Sequence, residues 1–244
     1  MPTIRTSALA LVGAITLASG LVLAQTNRPG EYPRGEKPSP MMNFFVTSVP
    51  VGDGGNLGGL AGADAHCQTL AAAVGAGNRT WHAYLSTQAR PGVPAVNARD
   101  RIGKGPWYNA KGVLIAENVA ALHAMTNFPK DSALTEKGVM NPDRNAPTHP
   151  DDKTWPYMQA HPESMRHEIL TGSTREGRAF ADGRDHTCSN WTSSADGNSP
   201  ARARTNTGPG AEIGKSDDSG PWNSQGISGG CAHEALAQIG RAHV

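Results

Sequence analysis

The sequence predicts an α+β domain of small antiparallel sheets, one or two helices and long irregular loops. Three observations carry that prediction. The composition is turn-rich, with 29 Gly and 18 Pro among 244 residues and only 37% hydrophobic, so a large share of the backbone must turn rather than run in regular elements. One short β-branched and aromatic run is followed by a single convincing helical pattern. Beyond about residue 90 the apolar periodicity breaks into short islands such as Val113-Leu114-Ile115-Ala116 and Ile169-Leu170.

Taken in order, residues 1–24 combine Arg5 with the apolar runs Ala8–Val12 and Ile15–Leu23 and end on Val22-Leu23-Ala24. A basic start, a short apolar stretch and small residues at the cleavage point predict a secretory signal peptide. Ser19 and Gly20 interrupt the apolar stretch, which argues against a membrane anchor, and the mature form is expected not to span a membrane. Residues 25–42 hold four prolines and mixed charges and predict a disordered Pro-rich leader. A domain over 43–244 follows.

Its first strand is expected in Asn43–Val49, which ends at Pro50 and a Gly-rich stretch. Leu60, Ala63, Cys67, Leu70, Ala71 and Val74 recur at helical spacing, with Gly75 and Gly77 as the stop. Asp64 is expected in the first turn of that helix, where it would complement the helix dipole. Trp81, Ala83 and Leu85 alternate with more polar neighbours and predict a half-buried strand over 81–86. Residues 127–167 are rich in Pro, His and charge and predict a mobile loop insertion.

Charge nearly cancels, with 22 Lys+Arg against 21 Asp+Glu, so no bulk field draws the chain to nucleic acid. A glycan or an extracellular protein is the expected partner. An exported chain meets an oxidising compartment, secreted or periplasmic, where its three cysteines would pair by default and leave one over.

Several blocks in order carry a family resemblance. They are Leu57-Gly58-Gly59-Leu60-Ala61-Gly62-Ala63-Asp64-Ala65-His66-Cys67, then Trp81-His82-Ala83-Tyr84-Leu85-Ser86, Gly105-Pro106-Trp107-Tyr108-Asn109, Thr187-Cys188-Ser189-Asn190-Trp191-Thr192, Trp222-Asn223-Ser224 and Gly229-Gly230-Cys231. Together they resemble the endostatin-like branch of the C-type-lectin-like fold over about 43–125 and 168–235. The resemblance implies a Cys188–Cys231 bridge across the loop region, worth about 4 kcal/mol in the chain-entropy picture. It also implies a partner for Cys67 on a final strand, where this chain offers Gly240-Arg241-Ala242-His243-Val244 without a cysteine. The final strand is therefore expected to be incomplete, and Cys67 to be unpaired: a buried free thiol or an intermolecular bridge.

The resemblance further implies a non-catalytic lectin-like binding protein. Trp107 and Asn109, Asn190 and Trp191, and Trp222, Asn223 and Ser224 each set an aromatic face beside a polar side chain, the pairing that can stack a sugar and bond its edge. Core burial of those tryptophans is the competing reading. The usual calcium triplet is broken by Ser224, yet Asp217 and Asp218 with Asn223 still offer oxygen ligands suited to Ca²⁺, unless they form a solvated polar turn. No further cofactor is expected. The alternative is an endostatin-like structural or adhesion module binding sulfated polyanions through Arg99, Arg101, Arg175, Arg178, Arg202 and Arg204. An enzyme on a lectin-like core is the remaining reading, although no Gly-x-Ser-x-Gly, His-Glu-x-x-His or phosphate-cradling motif occurs.

Overall fold

In the computed structural model, residues 37–51, 53–129, 132–138, 168–195, 210–215, 220–232, 236 and 239–243 are described. The expected signal peptide, most of the leader and residues 139–167 of the expected insertion lie outside them, as do Arg202, Arg204, Asp217 and Asp218.

The fold is mixed α+β with small sheets and few helices. A five-stranded sheet is ordered β1 (Phe45–Thr47), β7 (Ile239–His243), β4 (Glu168–Leu170), β5 (Glu212–Lys215) and β6 (Gly226–Ile227). A ribbon pairs β2 (Trp107–Tyr108) with β3 (Leu114–Ala116). All neighbouring strands run antiparallel except β4 and β7, which are parallel. Residues 239–243 form a five-residue strand in the middle of the sheet, pairing Phe45 with His243 on one side and Glu168 with Ile239 on the other.

Helix α1 (Gly59–Ala73) forms where the apolar spacing places it and buries Ala63, Cys67 and Ala71 at i, i+4 and i+8. Entry into it explains the local glycines. Gly58 sits at φ +74°, and a Cβ on Gly62 would lie 2.1 Å from the Leu57 carbonyl oxygen, so a larger residue could not pass. At the other end, Gly75 N and Ala76 N bond back to Ala72 O and Ala71 O, closing the helix as its glycine stop predicts. Asp64 departs from expectation. It is the sixth helical residue, with no acid in the first turn, and its carboxylate turns sideways to the 81–101 region rather than to the helix end.

The 81–86 segment is also corrected, because it is largely buried but belongs to neither sheet, and Leu85 N bonds back to Ala83 O at 2.9 Å. Its alternation has a different purpose. The buried apolar residues fall into two clusters, and this segment lies between them: Trp81, Ala83 and Leu85 enter one, Tyr84 the other. β1 and β4 behave alike, with Phe45 and Leu170 in the first cluster and Phe44, Val46 and Ile169 in the second. A strand whose successive side chains face opposite ways feeds two cores at once.

The short helix α2 (Val119–Ala124) is capped by Asn118, whose side chain accepts from Ala121 N. The beginning of the expected mobile insertion is core instead. Phe128 and Leu134 are buried, Val46 N donates to Leu134 O at 2.9 Å, and the buried Glu136 accepts from Ser48. Cys188 and Cys231 are bridged with Cα atoms 5.6 Å apart, as the resemblance implied. Cys67 is a buried free thiol.

Candidate functional site

The aromatic-and-amide pairs do not converge. Trp191 is fully buried and its Nε1 donates to Ser86 O at 2.8 Å. Asn190 clamps Gln88, accepting from its N at 2.8 Å and donating to its O at 2.9 Å. Trp222 is equally buried, with Nε1 donating to Leu122 O. Asn223 donates to Tyr84 Oη, Thr174 O and Arg175 O, and Ser224 Oγ donates to Glu212 Oε1. Asn109 binds Ser132 O and accepts from Lys111 N and Val113 N. These residues hold loops together, and a face that is buried against its own core cannot stack a sugar. The expected residues thus lie apart, most of them engaged within the fold. Trp107, nearly buried, reaches the wall of a cavity.

That cavity, of about 270 Å³, is a half-open groove between the turn after α1 and the loop that leads into β2. Arg79, Thr80 and His82 form one bank; Ile102, Lys104 and Gly105 form the other. Trp81, Trp107 and Asn43 make up the remainder of its lining. Each bank is pinned. Arg79 donates to Pro40 O at 2.7 Å, Trp81 Nε1 to Ala76 O at 3.0 Å, and Asn43 Nδ2 to Pro106 O at 2.8 Å while its Oδ1 accepts from Tyr108 N. His82 Nδ1 lies 3.2 Å from Asp64 Oδ2, so Nδ1–H donates to the carboxylate and Nε2 is left for other partners.

The groove's charge is one-sided among the described residues: Arg79 and Lys104 are cations, and no described carboxylate lines it. Asp64, bonded to His82 from behind, is matched by Arg101 at 2.6 Å. Both tryptophans are no more than 3% exposed, so they offer edges rather than open faces. The groove offers charge and hydrogen-bonding groups more than stacking faces. The volume is slightly under the ~300 Å³ at which small-molecule pockets usually begin, which suits one sugar-sized unit or one charged group.

Sequence reasoning missed Arg79 and Lys104, because each was an ordinary surface cation in a turn, more than twenty residues from the other. The detectable signal was that each lies within three residues of a tryptophan that the fold buries. The expected arginine patch is reduced among the described residues. Arg101 turns inward to Asp64 and Ala83 O, Arg99 bonds Glu176 O, and Arg175 and Arg178 are exposed on the turn that follows Thr174.

Of the expected calcium ligands, Asp217 and Asp218 lie outside the described residues, and Asn223 is buried with its Nδ2 donating to three internal oxygens. No group of three or more His, Cys, Asp or Glu is placed to hold a metal ion among the described residues. At Cys67, burial and then the nearby Asp64 push the thiol pKa far up, and Sγ donates to Ala63 O at 3.1 Å; it is a packed thiol rather than a nucleophile. One hydrogen-bonded chain resembles a triad: Ser224, Glu212, His186, Asp182. Its hydroxyl faces the carboxylate and not the imidazole, so the contact between nucleophile and base is missing.

No protein-family model matches the chain, and no curated protein sequence matches it either. No helix among the described residues is long and apolar enough to cross a membrane.

Proposed function

We propose that this chain is an exported, lectin-like, non-catalytic binding protein that recognises an anionic glycan. The observation that carries the reading is the groove in which Arg79, Lys104 and His82 surround a sugar-sized hollow with no opposing carboxylate among the described residues. A carboxylate or sulfate on a sugar would sit between the two banks and accept from Arg79 and Lys104, while ring hydroxyls meet Thr80, Asn43 and His82 Nε2. Charge-assisted bonds of this kind are stronger than neutral ones, and Arg adds planar geometry. The disulfide fits the oxidising compartment to which an exported chain goes.

A glycan array spanning neutral, carboxylated and sulfated sugars, read at about 0.05 M and about 0.5 M salt, tests this, because exposed charge pairs weaken as the screening length shortens. Carboxylated or sulfated sugars are expected to bind at low salt and to weaken at high salt. The double variant Arg79→Ala with Lys104→Ala is expected to lose at least about tenfold in affinity, the equivalent of one charge-assisted bond. Equal, salt-insensitive binding of neutral sugars would overturn the reading, as would undiminished binding by the double variant.

A further inference from the structure

Away from the groove, the chain carries a histidine in an unusual setting. His186 is 4% exposed, with Nε2 2.9 Å from Asp182 Oδ2 and Nδ1 3.3 Å from Glu212 Oε2. A neutral imidazole has one N–H, so one ring nitrogen would present a lone pair to a carboxylate. Only the imidazolium donates to both. Glu212 is also 4% exposed, and its other oxygen accepts from Ser224 Oγ. A carboxylate so buried is costly without a counter-charge, and His186 is the cationic group that reaches it.

The remaining surroundings hold the ring in place. Phe180 stacks flat upon it, with centroids 3.7 Å apart and planes at 4°. His186 N donates to Gln88 Oε1 at 2.7 Å, and His186 O accepts from Glu212 N at 2.9 Å. Of the other charged groups nearby, Asp185 is turned to Thr187 and Ser189, Arg184 precedes the ring by two residues, and Lys215, further along β5, pairs with Glu168 at 2.7 Å. Gln88 and Ser224 are the uncharged neighbours.

We infer that His186 is a buried imidazolium that latches the segment Phe180–Thr187 onto β5, and that its deprotonation releases this segment beside the Cys188–Cys231 bridge. Burial of the ring works against the charge, but the hydrogen bonds to Glu212 and Asp182 outweigh it and hold the pKa above the ordinary 6.5. The sign follows: the latch contributes fully below about pH 6.5 and is lost as pH rises through the folded-state value. It does not depend on the glycan reading.

The test is nitrogen-15 NMR of the histidine rings in the intact chain, combined with amide exchange at 186–188 between about pH 6 and about pH 9. His186 is identified as the signal missing from His186→Gln. Both of its ring nitrogens are expected to be protonated at neutral pH, with a midpoint above the ordinary value. Amide protection, corrected for intrinsic exchange, should fall about tenfold for each unit by which the pKa is raised. If His186→Gln does not fold, Asp182→Asn, at a 43% exposed side chain, provides the comparison and should move the midpoint down. A wild-type ring that titrates at or below the ordinary midpoint, protection that does not change with pH, or an unmoved midpoint in Asp182→Asn would each overturn the latch.

Discussion

Asp64 accepts from Ala83 N at 2.7 Å, from Arg101 Nη2 at 2.6 Å and from His82 Nδ1 at 3.2 Å. One side chain thereby ties α1 to the buried 81–85 segment, to the loop after the 3₁₀ turn Ala98–Asp100, and to one bank of the groove. Asp64→Ala leaves the Arg101 guanidinium, 12% exposed, without its carboxylate and orphans the Ala83 N–H, and should destabilise by about 2–4 kcal/mol in urea unfolding. Asp64→Asn keeps one acceptor and should recover part of that loss while weakening the hold on His82. His123 has the opposite pH sign to His186. Burial lowers its pKa, while Nδ1 bonds Val119 O at 2.7 Å and Nε2 meets Tyr84 Oη at 2.9 Å. A histidine kept neutral by the fold stabilises above about pH 6.5 and loses that contribution as pH falls through its folded value. Removing the Tyr84 hydroxyl, as in Tyr84→Phe, should destabilise by about 1–3 kcal/mol in urea unfolding by unpairing His123 and part of Asn223.

At the scale of the element, the turn Cys188–Trp191 is held in an uncommon backbone conformation. Its φ values are +46°, +60°, +57° and +67° at four consecutive non-glycine residues, a conformation that costs about 1–2 kcal/mol per L-residue. Surrounding bonds over-determine it: Asp185 accepts from Thr187 N and Ser189 N, Asn190 clamps Gln88, and the disulfide fixes Cys188. Ser189→Gly should therefore stabilise by up to about 1 kcal/mol, since glycine takes this conformation freely, and thermal unfolding would read it. Cys188→Ser with Cys231→Ser opens a link over 43 residues and should lose about 4 kcal/mol in the chain-entropy picture. These elements also mark what the sequence could convey. α1 was legible because Leu60, Ala63, Cys67 and Ala71 repeat at helical spacing and glycines bracket them. The Trp81–Ser86 run was legible as a segment with an apolar face but was misread as a strand, because alternation reports facing and not hydrogen-bond partners. The left-handed turn had no sequence mark. Cys-Ser-Asn-Trp carries no glycine, and its conformation is imposed from residues up to about a hundred positions away.

At the scale of the whole molecule, short strands and a modest apolar content are reconciled by sharing. β1, the 81–85 segment and β4 form a layer whose alternate side chains enter separate clusters, Phe45, Leu85 and Leu170 on one side and Phe44, Tyr84 and Ile169 on the other. The four described tryptophans divide likewise, with Trp81 and Trp191 in the first cluster and Trp107 and Trp222 in the second. For that reason the site was harder to read than the fold. An Asn-Trp or Trp-Asn pair looks the same in sequence whether its indole serves a core or a ligand, and the groove's cations come from turns that only the folded layer brings together. The shared layer has a thermodynamic consequence, because neither cluster can lose its packing without removing one wall of the other. Phe44→Ala and Phe45→Ala, adjacent in the chain and pointing into different clusters, should each cost about 3–5 kcal/mol. Both should lower one common unfolding transition, followed by tryptophan fluorescence and by far-ultraviolet circular dichroism. Two separated transitions, with Phe44→Ala moving one and Phe45→Ala the other, would mean that the clusters are independent folding units and that the layer does not couple them.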